Sequence, residues 1–259
     1  MGSIGPRRDR ARLDRVELRC PGTKARAPLR PRRLPRLGCV TSRPAASRPP
    51  DWDAAAYDRL ADPQARWGRA VLDRLVLEGV ETVLDAGCGS GRVTEELLGR
   101  LPRGYVVALD ASASMLEEAR RRLARHHDRV RFVRADLLAL GPSVLGRDHP
   151  VDAVLSTATF HWVTDHDRLF ANLAGVMRPG GQLVAQCGAE GNLAGLLDAV
   201  RSLGVERAGT WLYASRHETL RRLDRAGFVD LDVWTNPEPT RFDNPARLAD
   251  FLSTVILRE

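Results

Sequence analysis

Short apolar runs and amphipathic stretches alternate along most of the chain, and that rhythm sets out an architecture. Apolar runs starting at Val83 and spanning 105–110, 130–134, 151–156, 182–187 and 228–234 have the length and β-branched content of strands. The segments between them carry helical signals. Ser112 is one helix N-cap candidate and Ser114 with Glu117 spells a capping box. Thr164 and Asp167 form a capping pair ahead of Leu169, Phe170 and Leu173 on one apolar face, and the run Met177-Arg178-Pro179-Gly180-Gly181 ends that helix. Residues 192–203, 216–226 and 246–257 read as further helices, and 52–77 as two leading ones with Val71, Leu72, Leu75 and Val76 as a packing stripe. Repeated strand-helix units predict an α/β fold: a doubly wound, mostly parallel sheet with helices on both faces and its ligand at the carboxyl edge of the strands.

The first of those strands runs into Asp85-Ala86-Gly87-Cys88-Gly89-Ser90-Gly91. Glycine lacks the Cβ that obstructs positive φ or a ligand pressed on the backbone, so three alternate glycines before a helix predict a nucleotide-cofactor loop. A dinucleotide fingerprint needs glycine where Arg92 stands, and the Gly-Lys-Ser/Thr of a phosphate-binding loop is absent. Asp110, 25 residues after Asp85, ends the next strand, where a carboxylate can accept both hydroxyls of a ribose. Asp136 follows the third strand, and its alternative reading is a turn residue.

The loop resembles the first motif of class I S-adenosylmethionine-dependent methyltransferases. The resemblance covers the chain from about Trp52 onward and is most specific between Val83 and Cys187. It implies a Rossmann-like methyltransferase fold with S-adenosylmethionine as cofactor. Asp85 would hold the cationic amino-acid end, directly or through water, Gly87, Cys88, Gly89 and Gly91 would pass beneath the methionine part, and Asp110 would take the ribose. Ala111, Met115, Asp136, Leu137 and Ser156 would complete the cofactor contacts, with Asp136 against the adenine amino group. Read for itself, Cys88 is a small packing residue rather than a nucleophile.

The segment Phe160-His161-Trp162-Val163-Thr164-Asp165-His166, with Trp52-Asp53 and Tyr57 upstream, is similar to the trans-aconitate methyltransferase group, which methylates carboxylates of small polyacids. A small-molecule acceptor follows from that resemblance. His161 is the catalytic candidate: a base if the acceptor is a hydroxyl or amine, a group that orients an acidic acceptor, or merely a backbone-bonded ring. Tyr57, His161, Trp162, Trp211 and Tyr213 are the substrate-binding candidates, and Arg216 is a further acceptor-pocket candidate whose alternative reading is a surface arginine. Trp52, Tyr57 and Trp67 suit a lid, and Trp67 suits the core equally well. His126, His127, His149, His166 and His217 read as solvated. The family pattern ends in an antiparallel strand inserted between the fifth and sixth. This chain stops at Glu259, so the sheet is expected to lack that strand.

Charge is unevenly spread. The chain is +7 overall, yet residues 1–50 hold 14 basic residues against 3 acidic ones, and residues 51–259 are net negative. Half of the 16 prolines also fall in 1–50, so that segment reads as a disordered Arg/Pro-rich tail ahead of a single domain at 51–259. Arginine supplies all but one of the 40 basic residues, so its abundance in the tail is a habit of the whole chain. A nucleic-acid methyltransferase using the tail, and a truncated cofactor-binding remnant without turnover, are the alternatives to a small-molecule enzyme. No apolar run approaches the ~20 residues that span a bilayer, and no secretory leader is visible. The four cysteines show no metal spacing, so no metal is expected. A cytoplasmic monomer without membrane or nucleic-acid partners is the resulting expectation.

Overall fold

The computed structural model of the chain describes residues 16–19, 62–204 and 211–256. In chain order its elements are β1 (Val16–Arg19), α1 (Asp62–Leu72), β2 (Thr82–Ala86), α2 (Arg92–Arg100), β3 (Tyr105–Asp110), α3 (Ala113–Arg122), β4 (Val130–Arg134), α4 (Pro142–Leu145), β5 (Val151–Thr157), α5 (His166–Val176), β6 (Met177–Gln186), α6 (Ala194–Ser202), α7 (Arg216–Arg225), β7 (Val229–Val233) and α8 (Pro245–Phe251). The strands form one seven-stranded sheet in the order β4-β3-β2-β5-β6-β1-β7. From β4 to β6 all neighbours are parallel. Strand order reverses between β2 and β5, which makes that junction the switch point where an open sheet binds its ligand.

The continuous apolar runs have a direct cause. Central strands are covered on both faces, so both sets of alternating side chains must be apolar. Leu84, Val107, Leu109 and Val154 face one layer with Phe170, Leu173, Leu223 and Phe228. Val83, Val106, Ala108, Leu155 and Val184 face the other with Leu72, Leu97 and Leu116. Val71, Leu72 and Leu75 join this second layer, whereas Val76, predicted to share their stripe, is 66% exposed.

Three local expectations are corrected. Ser112 alone caps α3 by accepting from the Met115 amide, so Ser114 and Glu117 form no capping box. Asp165, not Thr164, caps α5 through the Arg168 amide. The Pro-Gly-Gly stop is itself part of β6, which starts at Met177 opposite Val151 and shifts register before Gln182.

The largest difference lies at the far edge. Residues Val16–Arg19, inside the segment predicted to be disordered, form β1 between β6 and β7 and run antiparallel to both. Glu17 pairs with Val184 on one side and Asp232 on the other. The position expected to be lacking is therefore filled, by a segment from the other end of the chain. Composition hid it, because a four-residue apolar-polar alternation among arginines and prolines is too short a signal to read. The rest of 1–50 lies outside the described residues. No described helix is long and apolar enough to cross a membrane.

Candidate functional site

The carboxyl ends of β2, β3, β4 and β5 carry the predicted cofactor residues, and the glycine loop sits at their centre. Its three glycines are required for three different reasons. Gly87 has φ +83° and its missing Cβ would fall 2.3 Å from Thr159. Gly91, at φ +81°, lies under α3, where a Cβ would meet Ala119 and Leu123 at 3.2 Å. Gly89 has φ +54° and nothing within 4 Å of where a Cβ would stand. Two of the glycines thus serve the protein's own packing, and Gly89 is the one that borders open space.

Two carboxylates organise this loop. Asp110 accepts from the Gly89 amide at 2.9 Å through one oxygen and from the Ser112 amide at 2.9 Å through the other. Asp85, 1% exposed, accepts from the Thr94 hydroxyl of α2 at 2.6 Å. Burial, partly offset by Thr94 and reinforced by the neighbouring Asp110 charge, pushes the Asp85 carboxyl up to about 7. Direct contact of Asp85 with a ligand, one of the two predicted modes, is closed by that burial. Thr94, which sequence reading missed, ties the acid to α2. The Cys88 thiol is buried and raised well above its usual range by burial and by both acids, which suits packing and not nucleophilic chemistry.

Asp136 caps a short helical turn by accepting from the Leu138 amide at 2.8 Å. Ala111 is half-buried beside Asp110, while Met115 and Leu137 are buried, at 3% and 5% exposure. Ser156 corrects the expectation of a ligand contact: fully buried, it donates its hydroxyl to the Ala86 carbonyl at 2.6 Å and so fixes the loop entrance against β5. Thr159 does similar work on the Gly87 carbonyl at 3.2 Å.

Beyond β5 an aromatic group forms the rim. His161 stacks on Tyr213 at 5.8 Å and tilts against Trp162 at 5.3 Å; Trp211 lies 6.0 Å from Tyr213 and 6.1 Å from Trp162. The Leu212 amide donates to the His161 carbonyl at 2.9 Å, tying the 211–213 segment to the rim. His161 Nδ1 accepts from the Gly188 amide at 3.2 Å, so the hydrogen-bond network assigns its proton to Nε2. Burial, with His166 nearby, pulls this imidazole down to about 3. It is neutral at pH 7 and a weak base, but a competent N–H donor.

Trp67 donates its indole N–H to Glu238 at 3.4 Å, linking α1 to the segment after β7. Tyr57 and Trp52 lie outside the described residues. His166 is not solvated as predicted: it is 3% exposed, with Nε2 bonded to the Phe160 carbonyl at 2.8 Å. Among the described residues no group of three or more His, Cys, Asp or Glu is placed to hold a metal ion.

A family model described as a methyltransferase domain matches residues 83–181. Trans-aconitate 2-methyltransferase of Methylobacterium radiotolerans is 32% identical over 220 residues, which cover 80% of this chain and 80% of that protein. The Azoarcus protein of the same name is 39% identical over 137 residues, 53% of this chain and 51% of the relative. In that comparison, and in others like it, the chain spans about half the length of the curated relative it matches. Among solved structures, Haemonchus contortus phosphoethanolamine N-methyltransferase 2 in complex with S-adenosyl-L-methionine superposes with a TM-score of 0.56 at 20% identity, over 69% of this chain and 42% of that one. A chain of the complex between the Haloferax volcanii Trm112 methyltransferase activator and a methyltransferase gives 0.55 at 20% identity, over 79% and 90%. At such identities these two superpositions establish the fold.

Proposed function

The chain belongs to the S-adenosylmethionine-dependent methyltransferase family, and from that premise we propose that it transfers a methyl group to a carboxylate of a small polyacid, trans-aconitate or a close analogue. The observation that carries the reading is the neutral His161 on the aromatic rim. A hydroxyl or amine acceptor needs a base, and the ring nitrogen of His161 that could accept a proton is already taken by the Gly188 amide, with burial lowering its basicity further. A carboxylate acceptor arrives already deprotonated and needs only orientation, which the His161 Nε2–H supplies.

The cofactor residues fit the same reading. The bound cofactor would supply a methyl carbon already activated by its sulfonium. Asp85 and Asp110 lend the loop a negative field that favours a cationic amino acid and would repel a pyrophosphate. Gly89 leaves the backbone open for that group, Asp110 accepts ribose hydroxyls, and Asp136 meets the adenine amino group, with Ala111, Met115 and Leu137 at its edge. Asp85 acts through its field and through Thr94. Trp162, Trp211 and Tyr213 wall the acceptor and exclude water, so alignment rather than proton transfer carries the rate. The relatives named trans-aconitate 2-methyltransferase support that acceptor class.

Incubation of the full chain with methyl-tritiated S-adenosylmethionine and a panel of polyacids, hydroxyl compounds and amines tests this. Alkali-labile label on trans-aconitate or a related acid is the expected result. Label confined to hydroxyl or amine acceptors, or none on any acid, would overturn it.

A further inference from the structure

On the α5 and α7 side of the sheet, behind the His161–Tyr213 stack, lies a cavity of about 50 Å³ that none of the roles above uses. It has room for roughly three water-sized groups. Gly188, which donates to His161, and Ala214, which follows Tyr213, both line it, so it adjoins the rim rather than the glycine loop.

Its polar lining is unusual in two ways. Arg216 is the first residue of α7, where the helix dipole is positive and a cation is disfavoured. Its Nε donates to the neutral Val233 carbonyl, and among the described residues no carboxylate pairs with it. The acids nearby are engaged elsewhere: Glu218 in the α7 capping box and with Arg222, Asp167 with Arg222 and Arg225, Asp165 in the α5 cap. The cavity is also lined by His166, the first residue of α5, 3% exposed and with Nδ1 lacking any hydrogen-bond partner. A buried polar atom without a partner is costly, whereas Arg216 is exposed, so its charge is solvated and open to a ligand that enters the cavity. One small anion would pair with the guanidinium, and a water or hydroxyl beside it would satisfy the imidazole nitrogen.

We propose that this cavity is a carboxylate-binding subsite, in which Arg216 receives a carboxylate while His166 Nδ1 accepts a hydrogen bond from a water or a ligand hydroxyl beside it. Two helix N-termini add to the positive potential there. Resting on the acceptor reading above, the subsite holds a second carboxylate of the polyacid while the first is presented on the rim, so that a diacid or triacid is selected over a monoacid.

Calorimetric titration of the full chain, saturated with S-adenosylhomocysteine, with trans-aconitate and separately with acetate tests this on wild type, Arg216→Gln and Arg216→Lys. The S-adenosylhomocysteine affinity of each protein is read first as a check on folding. Arg216→Gln is expected to weaken both acids by at least about tenfold and Arg216→Lys by less, with S-adenosylhomocysteine affinity held within about twofold. Acetate binding that depends on Arg216 in a protein that ignores trans-aconitate upholds the subsite, makes a free small carboxylate its ligand and removes the acceptor reading instead. If Arg216→Gln binds trans-aconitate as wild type does, the subsite is overturned while methyl transfer to that acid stands. A wild type that binds neither acid overturns it as well.

Discussion

The half of the sheet made of β4, β3, β2 and β5 and the half made of β6, β1 and β7 are assembled by opposite rules. In the first, every strand is followed by a helix before the next strand begins, and the residues of the candidate cofactor site fall at consecutive strand ends. In the second, the strand between β6 and β7 comes from residues 16–19, and the flanking cavity joins α5 to α7. Cofactor chemistry thus rests on local sequence order, whereas the acceptor side rests on contacts between distant segments. Substitutions in the two halves should therefore fail differently.

Gly87→Ala should be the most damaging change. It places a Cβ 2.3 Å from Thr159 at φ +83°, and strain plus overpacking should cost about 4 kcal/mol, read by denaturant unfolding. Gly89→Ala, with the same chemistry but open space, should cost about 1 kcal/mol and show itself instead in cofactor affinity. Equal destabilisation by both would mean that Gly89 does not border open space, and unchanged cofactor affinity in Gly89→Ala that no ligand lies against it.

Asp110→Ala comes next. Loss of a charged hydrogen-bonding group should lower S-adenosylmethionine affinity by about a hundredfold in calorimetry, roughly 3 kcal/mol. In the other half, Glu17→Pro removes a ladder donor from a strand paired on both sides and should cost about 2–3 kcal/mol, a fall of several degrees in melting temperature. Cofactor affinity of the folded protein should stay within about threefold. A loss like that of Asp110→Ala would show that the two halves do not act independently.

The smallest effect is a pH dependence. In the folded protein Asp85 titrates near 7 against 3.8 ordinarily, so it keeps a proton that the unfolded chain releases between those values. Its contribution to stability therefore falls as pH rises from about 4 to 7. A cationic ligand favours the ionised form, so S-adenosylmethionine affinity should rise between pH 6 and 8, by at most about tenfold per unit. Asp85→Asn should flatten that rise. A flat wild-type profile would place Asp85 outside the field of the cofactor.

Boundaries read from pattern alone match closely both at β3, which is buried on both faces, and at the edge strand β4, of which only Val130 is fully buried. The strand-end positions of the candidate-site acids and glycines were legible as well, because they follow the apolar runs at short offsets. What pattern could not give is how those residues divide the work. Gly87 and Gly91 look alike in sequence, but one is fixed by Thr159 and the other by α3. Asp85 looks like a ligand contact until Thr94 and its burial are placed.

The amino-acid order by itself determined the parallel β/α core, the cofactor loop and the acids around it, because periodicity, capping and turn chemistry act over a few residues. Only the tertiary structure decided that Val16–Arg19 closes the sheet, that His166 is buried, and that Arg216 faces a cavity without a carboxylate partner among the described residues. Those outcomes depend on segments far apart in the chain meeting in space, and neither the alternation of four residues nor the identity of a single histidine or arginine encodes which partner it will meet.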